Sequence, residues 1–188
     1  MSEAFVTKKA IADGFKCLMD KKPFEKITIA DITDSCGLNR QTFYYHFKDK
    51  YELLNWILFS DVIEPFSNGL TIDNWSDHLM QILVIVKENS KFYANAMNTS
   101  HGEEFHRYLF NAVTGVLCQV VDQIADGRSI SPADRQFIAE FFAYGVSGTV
   151  SKWVTTGMKR SPEEIAVYIK YLVNDFKAFA VERYAAEH

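Results

Sequence analysis

TIADITDSCGLNRQTFYYHF, Thr28 to Phe47, is the stretch from which the fold can be read. Thr28 followed three residues later by Asp31 is a helix-opening pair, a capping box with Asp in the place of the usual Glu or Gln. Ile29, Ile32 and Ala30 then face inward. Gly37 permits a turn, in the left-handed conformation that glycine tolerates. Asn39 has the side chain to cap a second short helix. Phe43 and Phe47 are four apart and share a face of that helix, with Leu38 just before it. Its other positions carry Arg40, Gln41, Thr42, Tyr44 and Tyr45. Two short helices joined by a tight glycine turn form a helix-turn-helix, whose second helix enters a DNA major groove.

Working outward, Phe5 to Met19 has apolar residues at Val6, Ala10, Ile11, Phe15, Leu18 and Met19, a one-sided helical stripe. Gly14 inside it predicts a close helix crossing. Lys21-Lys22-Pro23 ends this helix, because the residue before proline is pushed out of the helical region. Phe24 and Ile27 read as plugs between the first and second helices. On the other side, Asp49 with Glu52 opens a helix running to about Glu64-Pro65, long enough to act as a lever between a small head and the rest. Further helices are expected over Trp75 to Lys87, Glu88 to Met97, Glu103 to Ala125 (stopped by Asp126-Gly127), Ala133 to about Thr156, and from Ser161-Pro162 to about Ala185. Ser131-Pro132 and Ser161-Pro162 both place a serine cap before a first-turn proline. The reading is an all-α protein: a three-helix helix-turn-helix DNA-binding domain over residues 1–50, then a helical ligand- or partner-binding and dimerisation domain over 51–188.

Composition narrows the function. The chain has 188 residues, is 48% hydrophobic and carries a formal net charge of -4. It has the length for a substantial core, and nothing marks bulk disorder. The charge is uneven: the first 60 residues hold nine Lys/Arg against eight Asp/Glu, the remainder eleven against sixteen. A near-neutral head can still bind DNA if its positive groups share one surface. Cys17, Cys36 and Cys118 are widely spaced with no CxxC, which argues against a disulfide framework and a structural zinc. Cys36 reads as a small packed residue rather than a redox sensor. No early segment has signal-peptide character and no apolar run is long enough to span a membrane; a cytoplasmic protein is expected. No phosphate-binding glycine loop, nucleophile elbow or HExxH pattern occurs, and the five residues separating His101 from His106 put them on different sides of a helix. Neither enzyme activity, cofactor nor metal is expected.

Reading DNA requires groups that hold phosphates and groups that reach base edges. Arg40 and Gln41 stand at the first exposed positions of the second short helix; Arg suits guanine and Gln adenine in bidentate geometry. Thr42 suits a base or a phosphate. Tyr44, Tyr45, His46 and Lys50 carry donors for phosphate oxygens, and Thr28 opens a helix whose first amides could meet another. Each has a plainer reading as packing or ordinary surface, and a helical protein-interaction module without DNA binding is the alternative function.

Residues 5–59 resemble the DNA-binding domain of TetR-family transcriptional regulators. The resemblance rests on Thr28, on Gly37-Leu38, on Thr42-Phe43-Tyr44-Tyr45-His46-Phe47 and on the following Lys50. It implies that Arg40 and Gln41 stand where bases are read, and that Thr28, Thr42, Tyr44, Tyr45, His46 and Lys50 stand where the backbone is held. Lys21-Lys22 and Pro23-Phe24 depart from members with a glycine in that linker. In the body, Lys87 to Tyr93 and the spacing to Tyr108 are similar to a Firmicute branch that includes regulators of dihydroxyacetone kinase operons, in which a regulator can activate and take its signal from a protein partner. The resemblance also implies a homodimer on a palindromic double-stranded operator, and an unknown small-molecule effector or protein co-regulator. The last two helices resemble the dimerising pair: Phe137, Phe141, Tyr144, Gly145, Gly148 and Trp153 on one, Ile165, Tyr168, Ile169, Leu172, Phe176 and Phe179 on the other. Tyr93, Met97, His101, Phe105, Tyr108 and Phe142 are the effector-site candidates, with plain core as the other reading of each.

Overall fold

Helix boundaries follow the caps closely. The structure, a computed structural model, describes residues 2–67, 69–71, 73–99, 102–125 and 130–186, and among these every regular element is helical. Helix α1 (Glu3–Met19) starts at Ser2, whose hydroxyl accepts from the Phe5 amide, and buries Ile11, Ala12, Phe15 and Met19. It stops ahead of Pro23, and a 3-10 turn (Phe24–Lys26) follows. Phe24 and Ile27 are buried as expected. Helix α2 (Ile29–Cys36) is opened by the reciprocal Thr28–Asp31 box and closed by Gly37 at φ 68°. It crosses α1 at Gly14, where a Cβ would overlap Ser35 Oγ. Helix α3 (Arg40–His46) is capped by Asn39, whose side chain accepts from the Thr42 amide at 2.8 Å.

Helix α4 (Lys50–Leu58) is opened by Asp49, which accepts from the amides of Tyr51 and Glu52, while the Glu52 carboxylate accepts from the Lys48 amide at 2.6 Å. The single long helix expected from Asp49 is not uniform. Phe59–Ile63 is π-helical, with the Glu64 amide bonded to the Phe59 carbonyl, before α5 (Glu64–Ser67) resumes the α pattern. A π turn admits one extra residue and shifts the faces beyond it. Here Asp61, inside that turn, forms an ion pair with Lys16 of α1.

The body contains α6 (Trp75–Glu88), α7 (Ser90–Met97), α8 (Gly102–Ala125), α9 (Pro132–Thr155) and α10 (Pro162–Ala186). Ser131 caps α9, with Pro132 in its first turn, and Ser161 with Glu164 forms a box at the start of α10. Helices α8 and α9 lie side by side, and α10 packs on α6. One contiguous apolar core runs from Ile11 and Phe43 in the head through Leu83 and Phe92 to Val154 and Ile169. Burying this face, more than helix propensity, holds such short helices in place.

Part of the expected dimer face belongs to that core. Trp153, Ile165 and Ile169 are buried, and the Trp153 indole N–H donates to the Arg160 carbonyl across the turn that ends α9. Phe137, Phe141, Tyr144, Tyr168 and Leu172 remain exposed, as does Gly148. The side chains of Phe176 and Phe179 lie outside the described residues.

Candidate nucleic-acid interface

Helix α3 is held from below by two rings. Phe43 and Phe47 are buried, 5.8 Å apart between centroids, and Phe47 meets Trp56 of α4 edge-on. At about 100° per residue, the direction opposite Phe43 falls midway between Gln41 and Tyr45. These two side chains therefore form the crown of the helix. Arg40 and Tyr44 lie on one flank, Thr42 and His46 on the other. Exposure follows this order: Tyr45 is 82% exposed and Tyr44 57%, Arg40 and Gln41 are exposed, and Thr42 and His46 are half-buried. Asn39, Gln41, Thr42 and Tyr45 line a shallow surface hollow.

Most side chains on this face are preorganised. The Tyr45 ring meets His46 edge-on at 4.9 Å, and the Tyr44 ring meets Phe43 in the same way at 5.6 Å. The Thr42 hydroxyl donates to Asn39 Oδ1 at 3.0 Å, so it holds the cap and keeps only its lone pairs to offer. Ordering these groups before binding reduces the entropy that docking would otherwise cost.

Two residues expected to hold phosphates are engaged elsewhere. The Lys50 ammonium donates to the carbonyls of Phe24, Glu25 and Ile27 at 2.9, 3.3 and 3.0 Å and sits over the Phe24 ring. An ammonium has three N–H donors, and all three face this turn; burial pulls its pKa below the ordinary lysine value. Lys50 thereby fastens the 3-10 turn to the start of α4. Lys48, exposed just past α3, is the neighbouring ammonium left at the surface; sequence reading passed it over because its spacing matches no motif. The Thr28 hydroxyl accepts from the Asp31 amide and donates to the Asp31 carboxylate, so this anion occupies part of the α2 N-terminus itself.

The Asp31 box has a pH signature. The Lys22 ammonium at 2.9 Å, then the backbone and hydroxyl of Thr28, hold the carboxyl far below the usual carboxylate range. A depressed folded-state pKa contributes stability above the unfolded value and loses it as pH falls. The melting temperature of wild type should therefore exceed that of Asp31→Asn at neutral pH. The gap should begin to narrow below about pH 5 and keep narrowing as pH falls through the depressed folded-state value, closing only once both states of the wild type are protonated.

The body candidates are scattered in burial. Tyr93 and Met97 of α7 are buried, while Tyr108 of α8 and Phe142 of α9 are half-buried. The Tyr93 hydroxyl is buried without a hydrogen-bond partner, and burial, then the Asp61 carboxylate, pushes its pKa far up. His101 and the Phe105 side chain lie outside the described residues. Among the described residues no cluster of three or more His, Cys, Asp or Glu is placed to hold a metal, and no helix is long and apolar enough to cross a membrane.

Comparison with known proteins accords with this geometry. Residues 16–57 match the family model described as bacterial regulatory proteins, tetR family, and residues 73–175 match that of a transcriptional regulator C-terminal region. The HTH-type dhaKLM operon transcriptional activator DhaS of Lactococcus lactis subsp. lactis (strain IL1403) is 34% identical over 93 residues, 50% of this chain and 50% of its own length. The chain thus spans about half the length of that relative in the match. The solved structure of a dihydroxyacetone kinase operon activator DhaS superposes with a TM-score of 0.76 at 25% identity, covering 93% of this chain and 98% of that one. A TetR transcriptional regulator from Streptococcus agalactiae 2603V shares the fold, with a TM-score of 0.57 at 22% identity over 91% of this chain and 95% of that one. These families and relatives are transcriptional regulators and not enzymes, and the chain belongs to the TetR family of bacterial transcriptional regulators, with a DNA-binding helix-turn-helix at α2–α3.

Proposed function

We propose that the protein acts as a homodimer on a palindromic double-stranded operator and that its body receives an effector signal. The observation that carries the DNA part is the crown of α3: Gln41 and Tyr45 stand opposite the buried Phe43, with polar flanks on both sides. In this reading Arg40 and Gln41 meet base edges at the entering turn of the helix, as major-groove recognition helices do. Tyr45, one turn on from Gln41, joins them rather than the phosphate contacts. Tyr44, Thr42, His46 and Lys48 flank the groove and meet the two backbones. The α2 amides of Ile29 and Ala30, beyond those used in the Thr28–Asp31 box, add donors of the kind that helix N-termini offer a phosphate.

Dimerisation is supported by the exposed face of α9 and α10. Phe137, Phe141 and Tyr144 follow one another at helical spacing, Tyr168 and Leu172 do the same, and the exposed Gly148 continues the α9 stripe. Contiguous exposed apolar surface of this kind marks an association site. A palindrome has the two-fold symmetry that such a pair would match. For the effector, the buried Tyr93 hydroxyl is the polar group available to orient a ligand among apolar walls. A protein co-regulator is the other source of signal, and likeness to proteins named as operon activators favours activation over repression. Selection of bound duplex from a random pool tests the operator and its two-fold symmetry. Recovery of a two-fold symmetric site is expected, and recovery of no sequence preference would leave the interaction-module function in its place.

A further inference from the structure

Beside the Lys16–Asp61 ion pair, a second polar tie joins the α1 end of the head to the body. Asn95 of α7 accepts from the Phe24 amide at 3.0 Å and donates to the carbonyls of Met19 and Lys22, both at 2.9 Å. It therefore serves the last turn of α1, the connecting turn and the first residue of the 3-10 turn together. Carbonyls in the last turn of a helix have no partner within the helix, and here the partner comes from a residue more than 70 positions along the chain. Around this clasp α7 meets α1 through the Phe92 ring: Phe15 packs edge-on against it at 6.4 Å, and the Lys16 ammonium lies over it. Apolar contact is non-directional and tolerates small sliding and rocking. Three hydrogen bonds to one planar amide are directional and fix an angle.

We infer that Asn95 is a positioning residue: it sets the angle at which the helix-turn-helix unit is carried by the body, and so the half-site spacing that a dimer accepts. This rests on the proposed dimeric operator binding. Adding one base pair between half-sites moves the second by about 3.4 Å along the axis and roughly a tenth of a turn around it. A head held at a fixed angle discriminates against such changes, whereas a head free to rock follows them.

The test uses a panel of operators whose half-sites are separated by one or two base pairs more or fewer than the preferred site. Asn95→Leu removes all three bonds with a side chain of the same branching. Asn95→Asp keeps the acceptor for the Phe24 amide but presents oxygens to the Met19 and Lys22 carbonyls, so it weakens the clasp with less apolar change. In both variants the ratio of affinities between preferred and altered spacings should fall by at least about fivefold, the factor corresponding to loss of one net hydrogen bond. Affinity for a duplex with a single half-site should stay within about twofold, because no side chain of α3 is changed. A spacing profile unchanged in shape in whichever variant folds, even if lowered throughout, would overturn the inference and leave Asn95 a stabilising contact alone. Wild-type binding without any spacing preference would instead overturn the dimeric reading on which it stands.

Discussion

Phe141→Glu combined with Leu172→Glu yields a folded monomer whose affinity for a two-half-site operator is lower by at least about 100-fold, the usual scale of lost bivalency. Phe141 and Leu172 are 61% and 70% exposed within one chain, so neither carboxylate enters the core. Surface changes of this sort shift stability by about 0.5 kcal/mol or less. In a two-fold pair the same positions face the partner's α9 and α10, and each glutamate occurs twice. Four carboxylates would then lose water inside a largely apolar contact, a cost that opposes association. Tyr144 is kept because its ring stacks on Phe110 of the same chain at 4.2 Å, and its loss would confuse folding with association. Sedimentation reads the oligomeric state, melting reads the fold, and operator titration reads the consequence. A variant that remains dimeric would move the interface away from this face.

What sequence reading captured was local. Thr28 with Asp31, Asn39 with Thr42, Asp49 with Glu52 and Ser161 with Glu164 are all partners within four residues, and each forms the cap expected of it. Gly37 takes the positive φ that its turn demands. Phe43 and Phe47 lie on the buried side, as their spacing required. The rest depended on distance along the chain or on the aim of a flexible side chain. Lys50 turns toward carbonyls 23 to 26 residues before it, and its four-carbon stem permits either that or an outward pose. The π turn at Phe59–Ile63 leaves no local mark, because its residues are compatible with an ordinary helix; the Lys16–Asp61 pair spans 45 positions. Trp153, Ile165 and Ile169 are as apolar as the exposed Phe141 and Leu172, and composition cannot say which of two apolar faces meets α6 or α8 and which stays uncovered. Asn95 carries no signal at all in sequence: a lone asparagine in a short helix is ordinary, and only the approach of α1 gives it three partners. The outward pose of Tyr45, by contrast, was available in principle. Once Phe43 is taken as the buried pole, a helical projection puts Tyr45 on the opposite pole with Gln41, away from the tyrosine beside it.

That projection leads to a divided outcome among substitutions on one seven-residue helix. Gln41→Ala should weaken binding to the selected operator by about 1–3 kcal/mol per half-site and relax the preference at one base pair in each, since a bidentate amide contact carries that much discrimination. Tyr45→Ala should also alter base preference, at the position next along the groove, because the ring stands on the same crown. Lys48→Ala should behave otherwise: weaker binding to every duplex alike, unchanged ranking of sequences, and a salt slope smaller by about one for each copy in the complex. None of the three side chains is in the core, so melting temperatures should scarcely move. Competition binding over a set of single-base operator variants at two salt concentrations separates these outcomes. If Tyr45→Ala lowers all affinities uniformly and reduces no base preference, Tyr45 holds the backbone after all, and the helix must enter the groove rolled toward Arg40.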